Sequence, residues 1–350
     1  MALMPAGGAL CDDYKKALNA QLSGASAVLL FGAAGTGAFP GSRLRTTVWK
    51  AGDLTVSIPA IGLTYSTAMT IRLANQAVYL RTSTRISIEY TYNVIADLKR
   101  SSGTGMTVMV GAHLDSVPEG PGINDNGSGS SLLLHLALLA RRWRPTNGLR
   151  FAWWAAEEIG LLGSYHYVSQ LLDNAPQQLQ TILSYLNFDM VGGPNYILLV
   201  YNGTEAPAAA RSTSTQIQGL FEREFEHKRA PFALTGMTGG SDFLPFILAG
   251  IPASGLATGA SGIKSGAERD RYGGIANAAL DPCYHAPCDT VTNINHEALQ
   301  FCASAAISVL HQLSQWRVPP RPLLEINQTR VRLDSMRVAD TCGSEDEDGK

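Results

Sequence analysis

No apolar run in this chain approaches the roughly 18 residues needed to cross a bilayer; the richest stretch, 132–140, is interrupted by His135. Charge of either sign is not in excess: 27 Lys and Arg against 29 Asp and Glu leave a net charge of −2. That balance argues against the basic face of a nucleic-acid binder. Cysteine is scarce too. Five of them (Cys11, Cys283, Cys288, Cys302 and Cys342) are too few for a disulfide scaffold. Cys283 and Cys288, in "DPCYHAPCD", could close a small loop in an oxidising compartment or remain two free thiols. The opening segment "MALMPAGGALCDDYKK" has no basic region followed by an apolar core, so no export signal is visible. What is present, 350 residues that are 45% hydrophobic, suffices for one large domain or two smaller ones.

Residues 12–82 read as short helices and strands in alternation, with no histidine and scattered acids. The pattern changes after about residue 84. Apolar segments 84–98, 106–112, 149–158, 181–192 and 196–202 read as strands. Segments 128–142, 161–173, 205–227, 241–250 and 295–316 read as helices. Strands alternating with helices predict an α/β fold with a mixed, mostly parallel sheet covered by helices on both faces. Three stretches are thereby expected: 1–83, 84–318 and a polar tail, 319–350, without fixed structure.

The chemistry collects where strands end. "GAHLDSVPEGPGINDNGSG" carries His113, Asp115 and Asp125 between a strand and a helix. "FAWWAAEEIGLLGS" places Glu157 and Glu158 after an apolar strand, "YLNFDMVG" places Asp189 after the next, and "CYHAPCDT" places His285 in a late loop. Ligands of open α/β sheets bind at the carboxyl ends of strands, and burying acids there unpaired is costly. Taken singly, each motif also has a structural explanation. An HxD pair can be a surface hydrogen bond, paired glutamates can favour a helix N-terminus, and Asp189 can cap a turn. All of these at successive strand ends point instead to a metal site.

Mixed imidazole and carboxylate ligands suit zinc, with cobalt and manganese as related ions. His113, Asp125, Glu158, Asp189 and His285 are one donor too many for a single tetrahedral site with an open position. They fit two ions sharing a bridging carboxylate. Glu157 is then free to take a proton from water, and Asp115 is placed to orient the His113 imidazole. His135, His166, His227, His296 and His311 have no acidic partner at ligand spacing or lie on apolar or charged helix faces, and are left out of the site.

At these residues the chain resembles the M28 family of zinc metallopeptidases, which includes leucyl-type aminopeptidases. "GAHLDSV", "GINDNGSG", "RFAWWAAEEIGLLGS", "YLNFDMVG" and "CYHAPCDT" follow that family's order over about residues 85–316. The resemblance implies a zinc exopeptidase-like fold and two zinc ions per chain. Asp125 would bridge them, His113 and Asp189 would complete one site, and Glu158 and His285 the other. It implies Glu157 as general base and Tyr284 as hydroxyl donor to the oxyanion. The substrates implied are peptides with a free N-terminus, in a secreted or vacuolar/lysosomal setting.

Residues 1–83 are similar to part of a protease-associated (PA) domain, on "KKALNAQLSGASAVLLFG" and "IPAIGLTYSTAMTIRLA". In such relatives that domain is an insertion preceded by a piece of the peptidase domain and a signal peptide. Here Met1 falls within an early strand of it, so the chain reads as starting late. A carboxypeptidase of the same family is the nearest alternative, with Arg269 or Arg271 holding a substrate carboxylate. A one-zinc glutaminyl cyclase-like acyltransferase and a non-catalytic receptor-like module are the others.

Overall fold

Short apolar runs near the start of the chain form three parallel strands, β1 (Ala2–Pro5), β2 (Val28–Phe31) and β3 (Ala60–Leu63), side by side in that order. Between β1 and β2 lies α1 (Asp13–Leu22), and α2 (Tyr65–Ala74) follows β3. Ala17, Ala20, Val28 and Leu30 form the small core of this unit. The computed structural model describes residues 1–6, 13–32, 56–74, 77–83, 90–98, 105–237 and 239–317. The chain divides into two units, Met1–Glu89 with Asp334–Lys350, and Tyr90–Leu333. The expected tail 319–350 and the first six residues of the expected strand 84–98 lie outside the described residues.

The second unit begins with β4 (Val94–Leu98) and β5 (Thr107–His113). An irregular turn, Ile123–Ser128, leads into α3 (Gly129–Ala140). Then come β6 (Gly148–Trp154), α4 (Leu162–Asn174), α5 (Pro176–Thr181), β7 (Ile182–Phe188) and β8 (Leu198–Tyr201). They are followed by α6 (Ala208–His227), β9 (Phe232–Thr235), α7 (Phe243–Leu248), β10 (Ala253–Ala257), α8 (Gly266–Tyr272) and α9 (His296–Gln315). The seven strands lie in the order β4-β6-β5-β7-β10-β8-β9. β4 runs antiparallel to β6 and β8 antiparallel to β10; the other pairs are parallel. This is the mixed, mostly parallel α/β sheet that the alternating pattern predicts.

β5 and β7 are mostly apolar along both faces because both faces are covered. On one face, Val108, Val110, Leu186 and Phe188 pack with Leu133 and Leu136 of α3, Phe221 and Phe225 of α6, and Val309 of α9. On the other, the Tyr185 ring stacks on Phe246 of α7, with centroids 4.0 Å apart and planes 4° from parallel. The chain leaves β5 for β6 on one side and then crosses to β7 on the other. The carboxyl ends of these strands are therefore a topological switch point, where open α/β sheets bind ligands.

Four elements carry no strong pattern in the sequence. β9 and β10 are short, and "ASGLA" in β10 has no β-branched or aromatic residue. α5 is a six-residue helix begun by Pro176. α8 buries no residue and has no apolar stripe; its start is held by a capping box in which Ser265 and Glu268 bond each other's backbone N–H.

Candidate metal centre

The acids and imidazoles singled out in the sequence gather from several elements at the carboxyl edge of the sheet. His113 is the last residue of β5, Glu157 and Glu158 follow β6, and Asp189 follows β7. Asp125 lies in the irregular turn before α3, and His285 in the loop before α9. The side chains meet. His113 Nε2 is 3.1 Å from Asp125 Oδ1 and 3.3 Å from Asp189 Oδ1. His285 Nε2 is 3.1 Å from Asp125 Oδ2 and 3.0 Å from Glu158 Oε2. Asp125 thus turns one oxygen to each imidazole. Two groups, His113 with Glu157 and Asp189, and Asp125 with Glu158 and His285, each offer ligand atoms within 4.8 Å of one another.

Local backbone geometry sets these directions. His285 (φ 55°) is itself left-handed, Ala156 (φ 56°) precedes Glu157, and Met190 (φ 54°) follows Asp189. Such conformations cost on the order of 1–3 kcal/mol each and persist only where the surroundings impose them. Gly122, at φ 68°, opens the turn that carries Asp125, and the Asp125–Asn126 peptide is cis.

A buried cage holds two of the loops together. Asp289 accepts the backbone N–H groups of Asn124 at 2.9 Å and Asp125 at 3.1 Å. Asp281 accepts Asn124 Nδ2 at 2.6 Å and the Cys283 N–H at 2.9 Å. Asn293 Nδ2 donates to both carboxylates. Between Asp281 and Asp289, a disulfide joins Cys283 to Cys288 around Tyr284 and His285, and the Tyr284 ring stacks on the imidazole with centroids 3.8 Å apart.

Asp115 meets His113 through its main chain. Its backbone carbonyl lies 3.0 Å from His113 Nδ1, whereas its carboxylate is 3.7 Å from that nitrogen, beyond hydrogen-bond length. The carboxylate instead accepts the N–H of Glu157 at 3.0 Å and of Glu158 at 3.2 Å. One residue therefore orients the imidazole through its main chain and the paired glutamates through its side chain. Ser241, to which the sequence assigns no role, donates its hydroxyl to Asp189 Oδ2 at 2.6 Å.

The electrostatics of the centre ask for positive charge. Burial pushes the Glu157 carboxyl up to about 10, helped by the nearby charge of Asp189. Burial and Asp125 push Glu158 up to about 7. Burial lowers His113, but Asp189 and bonds to the surrounding acids outweigh it and hold the imidazole well above its ordinary value. Glu158 Oε1 is buried without a hydrogen-bond partner. His285 Nε2 likewise has no partner along its N–H direction, although two carboxylates lie within 3.1 Å. Acids and imidazoles crowded this closely, with Glu158 Oε1 and His285 Nε2 left without a partner, fit a cation between them, and the oxygen and nitrogen donor set suits zinc.

The profile of peptidase family M28 matches residues 93–310, more than half of the chain. This chain belongs to peptidase family M28. It is 39% identical over 307 residues to an aminopeptidase of Pseudomonas aeruginosa strain PAO1, covering 87% of this chain and 56% of that protein. It is 43% identical over 240 residues to the probable leucine aminopeptidase 2 of Aspergillus fumigatus, covering 67% of this chain and 47% of that protein. The chain spans about half the length of the curated relatives it matches. Among solved structures, the aminopeptidase from Aneurinibacillus sp. strain AM-1 superposes with a TM-score of 0.64 at 24% identity, over 92% of this chain and 70% of that one. BSAP, a zinc aminopeptidase from Bacillus subtilis, gives 0.62 at 24% identity, over 92% and 72%. These superpositions establish the fold of this M28 chain.

Proposed function

We propose that this M28 chain is a zinc-dependent aminopeptidase, removing N-terminal residues from peptides with two ions in its centre. The observation that carries the reading is Asp125, whose oxygens each lie 3.1 Å from a different imidazole, each imidazole having one further acid beside it. Asp125 would be shared, with His113 and Asp189 holding one ion and Glu158 and His285 the other. Divalent ions bound there acidify water and polarise a scissile carbonyl.

The remaining work falls to the chain's own side chains. Glu157 takes the proton of the attacking water and delivers it to the leaving amine; its raised affinity for protons suits the second half of that task. Tyr284, on the wall of the cleft, donates its hydroxyl to the developing oxyanion. Glu157 and Asp189 face the substrate's α-ammonium.

The cleft, of about 220 Å³, is lined by these acids and by Met190, Leu199, Tyr201, Phe243 and Ala257. Its apolar wall favours an apolar first side chain. No lysine or arginine among the described residues lines it. Arg269 pairs with its neighbour Asp270 at 2.6 Å, largely exposed, and Arg271 lies over the Tyr272 ring. A carboxypeptidase, which needs a cation for the substrate carboxylate, is disfavoured on that ground. Two donor groups argue against a one-zinc cyclase, and a complete donor set with an adjacent base argues against a receptor-like module. The Cys283–Cys288 disulfide suits a secreted or vacuolar setting. Residues 1–83 are read as part of a PA domain and 84–318 as the peptidase. No helix among the described residues is long and apolar enough to cross a membrane.

The test is metal content by elemental analysis together with hydrolysis of Leu-p-nitroanilide before and after chelation. Two zinc ions per chain with release abolished by chelator and restored by zinc is the expected result. One ion without release would replace this reading with the cyclase.

A further inference from the structure

Tyr185, Asn187 and Asp189 alternate along β7 and beyond its end, so they share one face of the sheet. Beneath the centre they belong to a chain of hydrogen bonds whose direction can be worked out atom by atom. Trp154 Nε1 can only donate, and it lies 2.8 Å from the Tyr185 hydroxyl. The phenol accepts there, so its one proton goes to Asn187 Oδ1 at 2.9 Å. This fixes which way the amide points. Its Nδ2 donates to Ser241 Oγ at 2.8 Å, with the Tyr201 hydroxyl at 3.5 Å as a weaker acceptor. Ser241 therefore accepts from Asn187, and its own proton is left for Asp189 Oδ2 at 2.6 Å. All four donors are buried, so no bulk water competes for these positions.

A glycine makes room for the start of this chain. Gly111 stands in the middle of β5, where a side chain would help packing. A Cβ there would collide with both Tyr185 Oη and Trp154 Nε1.

We propose that Trp154, Tyr185, Asn187 and Ser241 form a one-way hydrogen-bond relay that occupies Asp189 Oδ2 and reserves Oδ1, the oxygen facing His113, as the single donor of Asp189 to an ion. The four are positioning residues, and the proposal rests on the two-ion reading above. With the relay intact, the Ser241 hydroxyl cannot turn away and the carboxylate cannot rotate to offer both oxygens. The relay acts on the ion held by His113 and Asp189 and has no bond to Glu158 or His285. Outer partners of this kind typically alter metal affinity by about 10–100-fold.

Ser241→Ala removes the last link of the relay. No hydroxyl then reaches Asp189 Oδ2, and no charge is added beside the centre. Tyr185→Phe is the milder variant: it keeps the ring on Phe246 and removes only the hydroxyl that orients the amide. The experiment titrates ion-free full chain with zinc at pH 8 against a competing chelator, for wild type and both variants, with circular dichroism as the check on folding. The expected result is that one zinc equivalent weakens by about 10–100-fold in Ser241→Ala and by less in Tyr185→Phe, while the other equivalent keeps its wild-type affinity. General loosening of the fold would weaken both equivalents alike, and that result, or unchanged affinity for both in the two variants, overturns the relay. A wild type that takes up only one equivalent overturns the two-ion reading; the relay is then judged by the variant-to-wild-type ratio for that equivalent.

Discussion

The two donor groups of this centre are built from different material. His113 and Asp189 end or directly follow β5 and β7, parallel neighbours in the sheet. Their separation is set by a strand spacing that any parallel sheet imposes. Asp125, Glu158 and His285 stand on three loops, and nothing in the sheet dictates their distances. Here a buried cage of amide bonds and a disulfide tie the Asp125 and His285 loops together, and the Asp115 carboxylate holds the Glu158 backbone. A rigid lattice can thus be replaced by crosslinks, provided the crosslinked loops share an anchor. Asp289 is that anchor, because it holds the Asp125 backbone from the loop that carries His285.

The largest effect expected on this comparison is one that ignores it. Glu157→Gln keeps the shape of the side chain and removes its basicity, so Leu-p-nitroanilide turnover falls by about 10²–10⁴-fold while both zinc equivalents bind. Loss of an equivalent along with the rate would show that Glu157 is a ligand instead.

Replacing both Cys283 and Cys288 with serine breaks the comparison on one side only. The zinc equivalent on the loop-built group weakens by about 10-fold, and the strand-built one is unchanged, as read by competitive titration. Equal weakening of the two would mean that the disulfide supports the fold at large rather than His285.

The smallest effect is on the stability of ion-free protein. In the folded chain Glu157 gives up its proton only near pH 10 and Glu158 near 7, whereas the ordinary value is 4.5. Between about pH 5 and 9 the folded state therefore holds protons that the unfolded chain has lost, and stability falls as pH rises. His113 and His285 are also raised by their acidic neighbours, and the stability they contribute is likewise lost with rising pH. The slope contributed by one such group is at most about 1.4 kcal/mol per pH unit. Melting temperature in chelator, followed from pH 5 to 9, should fall, and zinc should flatten the curve. A flat profile in chelator would contradict the crowding of charge described above.

Much of this was legible before any coordinates. Apolar runs with a period suited to covered strands placed β5, β6 and β7, and polar residues just past those runs placed His113, Glu157, Glu158 and Asp189. The limits have physical causes. α8 was not expected from the sequence: it shows no apolar stripe because it buries nothing. β10 carries a glycine at its centre because a Cβ at Gly255 would strike the Asn187 backbone, which weakens its strand pattern. Asp115 stands two residues from His113 in the sequence, but whether its carbonyl or its carboxylate reaches the imidazole depends on the turn. Asn187 in "LNFDM" reads as one more residue of a buried strand; its partner Ser241 is remote in sequence, and no periodicity links them.

The cage around Asp281 and Asp289 has a practical consequence. Its donors are amides, from Asn124, Asp125, Cys283 and Asn293, and none depends on a bound ion. On the two-ion reading, removing the ions leaves that frame standing, so chelator-stripped chain is expected to keep its folded circular dichroism and to take zinc up again without refolding.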